Sequence, residues 1–202
     1  MIRKTAAALL TATALTAGLA ACAYNETLGR NQLLIVDDAA LQQSADAAWA
    51  QAMREMNPTN NAAQNQRVLT VGSRIVAAAN LNNRMRWEYA VFQDETPNAF
   101  TLPNGKIGVT TGLLNLVEND DQLAAVIGHE VGHVVARHAA ERYSQTALTS
   151  TGLQVAQGVA GDYGQAVGAL GGVGAQLGVL LPFSRTHELE ADRLGVDYMA
   201  AA

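Results

Sequence analysis

The sequence predicts an α+β fold, predominantly helical, with one small antiparallel sheet beside its most strongly apolar helix. Three observations carry that expectation. Apolar residues recur at three- and four-residue spacings over most of the chain. Strict alternation is confined to one stretch near residues 85–111. A chain of 202 residues that is 49% hydrophobic and 15% charged can also fill a single core without disulfide or structural metal. Any metal it holds is therefore expected to be functional. Thirteen Lys and Arg against eighteen Asp and Glu give a net charge of −5, with no basic cluster. That balance argues against a nucleic-acid partner.

The chain opens on an export pattern. Residues 1–4 carry two positive charges, and residues 5–21 are an uncharged run of Ala, Leu, Thr and Gly, too short and too rich in Thr for a stable anchor. It closes on Leu19-Ala20-Ala21-Cys22, which resembles the bacterial lipobox, whose cysteine is acylated after cleavage. This resemblance accounts for the lone cysteine. With Ala23 rather than Asp behind it, it implies anchoring to lipid of the outer membrane of a Gram-negative bacterium, at the periplasmic face, through acylated Cys22. The expected organisation is a lipoprotein signal peptide at 1–21, the lipidated Cys22 with a flexible tether at 22–32, and a folded domain at 33–202.

Within that domain, residues 37–56 read as a helix with an acidic start and an Asn57-Pro58 stop. Residues 61–79 place Val68, Val71, Ile75, Val76 and Ala79 near one helical face, ending at Asn80. Trp87, Tyr89 and Val91 alternate through a strand at 85–92, and 98–102 and 106–111 flank Pro103-Asn104-Gly105 as a hairpin. A short helical stretch at 113–117 precedes a long helix expected over 120–142. There Asn119 is the cap, Leu123, Val126, Ile127, Val131, Val134 and Val135 make the apolar face, and Arg137 and Arg142 close the C-terminal end. The uncharged run 163–184 is long enough to span a membrane, but its glycines, Gln165, Gln176 and closing Leu181-Pro182 favour a buried helical pair or a cover over the active site. A last helix is expected over 184–202.

The chemistry concentrates in His129-Glu130-Val131-Gly132-His133. Four residues turn a helix by about 400°, so both imidazoles leave one face a turn apart and can grip one Zn²⁺. Glu130 lies about 100° round from His129, where it can take a proton from a zinc-activated water that attacks an amide carbonyl and pass it to the leaving nitrogen. Metzincin spacing is excluded, because Ala136 and Ala139 stand where Gly and His are required. His138, about 140° round from His133, is expected at the surface.

Joined to the upstream NAFTLPNGKIGVTTGLL and the downstream PFSRTHELEADRLG, HEVGH resembles peptidase family M48 over residues 33–198. This gluzincin family includes the CAAX prenyl proteases, the bacterial heat-shock membrane protease and periplasmic lipoprotein proteases, and the last branch suits the lipobox. The resemblance implies a gluzincin-like zinc metallopeptidase fold with the sheet next to the HExxH helix. It implies an endopeptidase with one Zn²⁺ per chain, acting on unfolded or misassembled envelope proteins in periplasmic quality control. The alternative is a zinc-bound but proteolytically silent chaperone or assembly factor at the outer membrane; a purely structural lipoprotein is a third reading. Family members usually continue into a His-Pro segment whose His stabilises the transition state, whereas His187 is the last histidine here. The domain is therefore expected to be truncated, or to use Tyr198 or Arg193 instead.

Within the gluzincin reading, His187, Glu188, Glu190 and Asp192 compete to complete the site. Glu188 and Asp192 share one helical face, while Glu190 lies about 200° from Glu188 and must point elsewhere. Glu188 is thus the expected third zinc ligand and Asp192 the acceptor of a ligating ring N–H, in the family's Glu-x-x-Ala-Asp order. Metallopeptidases of this architecture bind substrate as an added strand, so 98–102 or 106–111 is the expected edge, with Asn98, Ala99, Phe100, Gly108 and Val109 along it.

Overall fold

The computed structural model describes residues 22–158 and 183–202. The export signal at 1–21 lies outside them, as does nearly all of 163–184. Among the described residues, no helix is long and apolar enough to cross a membrane.

The segment expected to be a flexible tether is instead a hairpin. β1 (Cys22–Asn25) pairs antiparallel with β2 (Arg30–Leu33), Cys22 opposite Leu33. The Asn25 carboxamide oxygen accepts from the Thr27 and Leu28 amides, and Gly29 turns the chain at φ +68°. What fixes the hairpin to the domain is polar and distant in sequence: buried Gln32 donates to the Ala136 carbonyl at 2.7 Å and to Glu141 at 2.8 Å. Local pattern cannot announce partners that far away.

Helix α1 (Asp38–Glu55) is capped by Asp37, whose side chain accepts from the Ala40 amide. Helix α2 (Ala62–Ala78) is capped by Asn61 and terminated at Asn80 with φ 56°. Then follow β3 (Glu88–Phe92), β4 (Ala99–Leu102), β5 (Lys106–Thr110) and the short α3 (Thr111–Leu116). Helix α4 (Asp120–Val135) starts at the Asn119 cap, α5 (His138–Gly158) follows at once, and α6 (Arg185–Ala201) starts at Ser184. The expected α+β class holds.

The sheet is mixed rather than antiparallel, in the order β3-β5-β4. β4 and β5 form the expected hairpin, with Gly105 at φ +80° in its turn. β3, however, runs parallel to β5, Glu88 opposite Lys106. The reason is the connection 93–98, which carries the chain past β5 before β4 begins. It is fastened by Gly112 N–H to the Asp94 carbonyl and by the Thr110 hydroxyl to the Thr96 carbonyl, both at 2.8 Å. Gly108 and Val109 consequently lie in the buried central strand and cannot be an edge. The outer edge of β3 is covered too, by Thr59 N–H to the Val91 carbonyl and Gln93 N–H to the Asn57 carbonyl. Within the three-stranded sheet, β4 is the strand whose outer side has no strand or bridge partner among the described residues.

Apolar side chains cover both sheet faces. Val68, Val71 and Ile75 of α2 and Leu123, Ile127 and Val131 of α4 bury Val91, Ile107 and Val109 on one. Trp49 of α1 packs edge-on against Phe92 and Phe100 on the other. Phe100 needs Gly108 beneath it, where a Cβ would fall 2.3 Å from the ring.

The long helix expected over 120–142 is broken. It ends at Val135, Arg137 takes φ 57°, and α5 restarts at His138. The corner is held from outside: the Gln32 amide takes the Ala136 carbonyl, and the Arg137 guanidinium pairs with Asp38. The reversal swings His138 inward, and it is wholly buried rather than on the surface.

Candidate metal centre

Helices α4 and α6 approach closely because small residues line their contact. A Cβ at Gly132 would meet the Ala191 carbonyl oxygen at 2.7 Å, and one at Gly195 would meet the His129 amide nitrogen at 2.8 Å. This proximity carries Glu188 of α6 to the two histidines of α4. His129 Nε2 and His133 Nε2 are 3.0 Å apart. The Glu188 oxygens lie 3.4 Å from the first and 3.8 Å from the second. One turn on, Asp192 places Oδ1 2.7 Å from His129 Nδ1.

The hydrogen bonds assign the ring protons. His129 Nδ1 faces a carboxylate, which can only accept, so it carries its proton there and leaves Nε2 as a lone pair. His133 Nδ1 lies 2.9 Å from His138 Nδ1, while His138 Nε2 lies 2.9 Å from Glu190 Oε2. His138 donates to Glu190 and accepts from His133, whose Nε2 is then a second lone pair. Two lone pairs and a carboxylate converge with no proton between them. Such a set repels itself unless a cation sits within it. A tetrahedral ion with bonds of about 2.0–2.2 Å separates its ligand atoms by roughly 3.3–3.6 Å, and the three observed separations bracket that range. Among the described residues, these three offer their ligand atoms within 4.8 Å of one another as a metal-holding group.

Electrostatics suit the arrangement. Burial first, then the neighbouring His129, His138 and His187, holds His133 neutral by pulling its pKa down to about 3. Burial first, then the Glu188 carboxylate, pushes Glu130 up to about 8, opposed by a hydrogen bond from the Thr101 backbone. A bound dication would reverse the sign of the local field.

The remaining candidates go elsewhere. His187 Nε2 faces Glu141 at 3.2 Å, its ring stacks on His138, and its Nδ1 is buried without a partner. Glu190 points away from the cluster, as its angular position requires, but inward, where Arg30 and His138 hold its pKa down at about 2. Arg193 donates to the Thr27 carbonyl and Tyr198 packs against the core, so both residues considered for the transition state are engaged away from the cluster.

Arg30, His138 and Glu141 were not expected at the site, and neither was Phe183, whose ring stacks on His133 at a centroid distance of 4.0 Å. The one sequence signal was His138 and Glu141 three apart on a helix otherwise poor in charge. A cavity of about 260 Å³ adjoins His133, lined mainly by apolar groups that include Leu81, Met85, Pro103, Val134 and Phe183.

The sequence matches the family model for peptidase family M48 over residues 62–202. It is 41% identical over 135 residues to the mitochondrial metalloendopeptidase OMA1 of Schizosaccharomyces pombe, covering 67% of this chain and 39% of that protein. It is 35% identical over 127 residues to the metalloprotease LoiP of Escherichia coli, covering 61% and 48%. To the β-barrel assembly-enhancing protease of Yersinia pestis it is 33% identical over 144 residues, covering 66% and 29%. The matched part spans less than half the length of each of these relatives.

Proposed function

The chain belongs to peptidase family M48, and from that premise we propose that it is a zinc-dependent endopeptidase of the bacterial envelope, acting on unfolded or misassembled proteins. The observation that carries the reading is the convergence of two imidazole lone pairs and the Glu188 carboxylate, each ring proton already committed to a partner behind it. Zinc bound there supplies Lewis-acid polarisation of a carbonyl and an acidified water.

The chain's own residues supply the rest. Glu130, next to His129 on α4 and half-buried, has a carboxyl whose raised pKa suits taking a proton from water and giving it to the leaving amine. Substrate lies along β4. Thr110 N–H donates to Asn98 and Gly105 N–H to Leu102, so Asn98, Phe100 and Leu102 direct their main chain toward β5. By the alternation of an antiparallel ladder, Ala99 and Thr101 present theirs outward; Glu130 takes the Thr101 N–H, which leaves the Ala99 N–H and both carbonyls for a peptide that adds as a strand whatever its sequence. The Thr101 contact with Glu130 sets that edge beside the proton carrier. The cavity at His133 accommodates an apolar substrate side chain.

The envelope location rests on the lipobox-like Leu19-Ala20-Ala21-Cys22 and on the relative whose name refers to β-barrel assembly. Acylated Cys22 would hold the protein in the outer membrane, so radioactive palmitate should label the chain and fail to label Cys22→Ala. For the activity, the full chain loaded with zinc should cleave unfolded casein, and Glu130→Gln should keep its zinc and lose cleavage. Equal turnover by the variant would sink the mechanism, and stoichiometric zinc without cleavage would favour the assembly factor.

A further inference from the structure

Arg30 stands at the far end of a hydrogen-bonded chain that leads to His133. Its guanidinium grips two carboxylates from two helices. Nη1 and Nη2 lie 2.8 Å from the two oxygens of Glu141, while Nε and Nη2 lie 2.6 and 2.8 Å from those of Glu190. Beyond Glu190 come His138 Nε2 and then, from His138 Nδ1, the Nδ1 of His133, each link 2.9 Å. His138 is completely buried, so water cannot substitute for either partner.

Each link dictates the next. A carboxylate held by Arg30 only accepts, so His138 must donate from Nε2. A neutral ring that donates from Nε2 has only a lone pair at Nδ1, so His133 must donate from Nδ1. The Nε2 of His133 is thereby stripped of its proton and turned toward His129 and Glu188. Without the guanidinium, nothing holds the Glu190 carboxylate against His138 Nε2, and it can turn away. His138 is then free to carry its proton on Nδ1, and His133 must place its own on Nε2, where it blocks a metal.

We propose that Arg30, Glu190 and His138 are positioning residues which, on the zinc reading of this site, fix the tautomer and orientation of His133, so that the affinity of the metal centre is set from a hairpin remote in sequence. An ion pair serving stability alone would work with either tautomer of His133. The relay works with one.

The test uses the full chain labelled with ¹⁵N and freed of metal by a chelator, in which long-range ¹H–¹⁵N spectra report which ring nitrogen is protonated. Wild-type His133 should carry its proton on Nδ1. His138→Phe, which keeps a ring but removes the acceptor, should move it to Nε2, whereas His138→Asn, whose carbonyl oxygen falls near the Nδ1 position, should retain it on Nδ1. In parallel, zinc affinity measured by chelator competition should fall about 10- to 100-fold in Arg30→Met and His138→Phe and recover most of that loss in His138→Asn. Cobalt(II) bound in place of zinc should show an altered visible spectrum in the two weakened variants. Circular dichroism of each variant separates loss of fold from loss of positioning. A wild-type His133 protonated on Nε2 overturns the relay with no variant needed. Wild-type affinity in folded Arg30→Met and His138→Phe overturns it too. Failure of the wild type to bind zinc would instead overturn the zinc reading, leaving the tautomer result to judge the relay.

Discussion

Glu188 and Asp192 divide between them two tasks that one helical turn separates. Glu188 faces both imidazole Nε2 atoms, and Asp192 holds His129 from behind. Glu188→Ala should therefore abolish zinc binding, while Asp192→Asn should weaken it about 10- to 100-fold by loosening the orienting bond. Competition with a chromogenic chelator measures both, and loss in the second with retention in the first would reverse the assignment. These positions were legible because each pair lies four apart on one helix, and a 100° step is enough to show that they share a face. His138 was misplaced by the same arithmetic, since it assumed an unbroken helix across Arg137. A non-glycine residue at positive φ has no local signature when its cause is a glutamine more than a hundred positions away.

At the scale of elements, the α4–α6 contact does most to assemble the site. Gly128 and Gly132 meet Ala191 and Gly195, each pair four apart, and no methyl group fits between Gly132 and Ala191 without a shift of backbone. Gly132→Ala should cost about 1–3 kcal/mol of stability by overpacking and weaken zinc as Glu188 is pushed back. Urea unfolding with and without zinc reads both, and an unchanged midpoint would show that the helices can part freely. Most helices were plain in the sequence, through the acidic start at Asp37, the apolar spacing of Val68 to Ala79 and the Asn119 cap, but α5 was not separated from the helix before it. The sheet was half legible. Pro103-Asn104-Gly105 specified a hairpin, but whether β3 joined parallel or antiparallel depended on the path of 93–98, which carries no pattern of its own. The proposed substrate edge, β4, follows from the observed strand order. Ala99→Pro removes an outward N–H from an edge strand and should raise KM with zinc content unchanged. The same change at Gly108 would break the centre of the sheet. Wild-type KM in Ala99→Pro would remove β4 as the docking strand.

Across the whole molecule, the network of Arg30, Glu141, Glu190 and His138 ties the first hairpin, α5 and α6 together, segments that no local sequence feature connects. It also makes the metal-free protein acid-sensitive, with a definite sign. Burial, the largest influence, depresses His138 from 6.5 to about 4, so the unfolded chain takes up its proton first and stability is lost as pH falls from about 6.5 to 4. The Arg30 hydrogen bonds, the largest influence on Glu190, depress it from 4.5 to about 2, so its contribution is lost in the next window down. Urea midpoints of the chelator-treated chain should fall across the first window and less steeply in His138→Phe. Equal slopes in the two chains would mean that His138 is not buried neutral. Whether one zinc ion is held between α4 and α6 can be read from anomalous diffraction at the zinc edge on crystals of the zinc-loaded full chain. The expected result is a single peak about 2.0–2.2 Å from His129 Nε2, His133 Nε2 and a Glu188 oxygen, with Asp192 and His138 behind the rings. A peak ligated by His187 or Glu190, or none between the two helices, would contradict it.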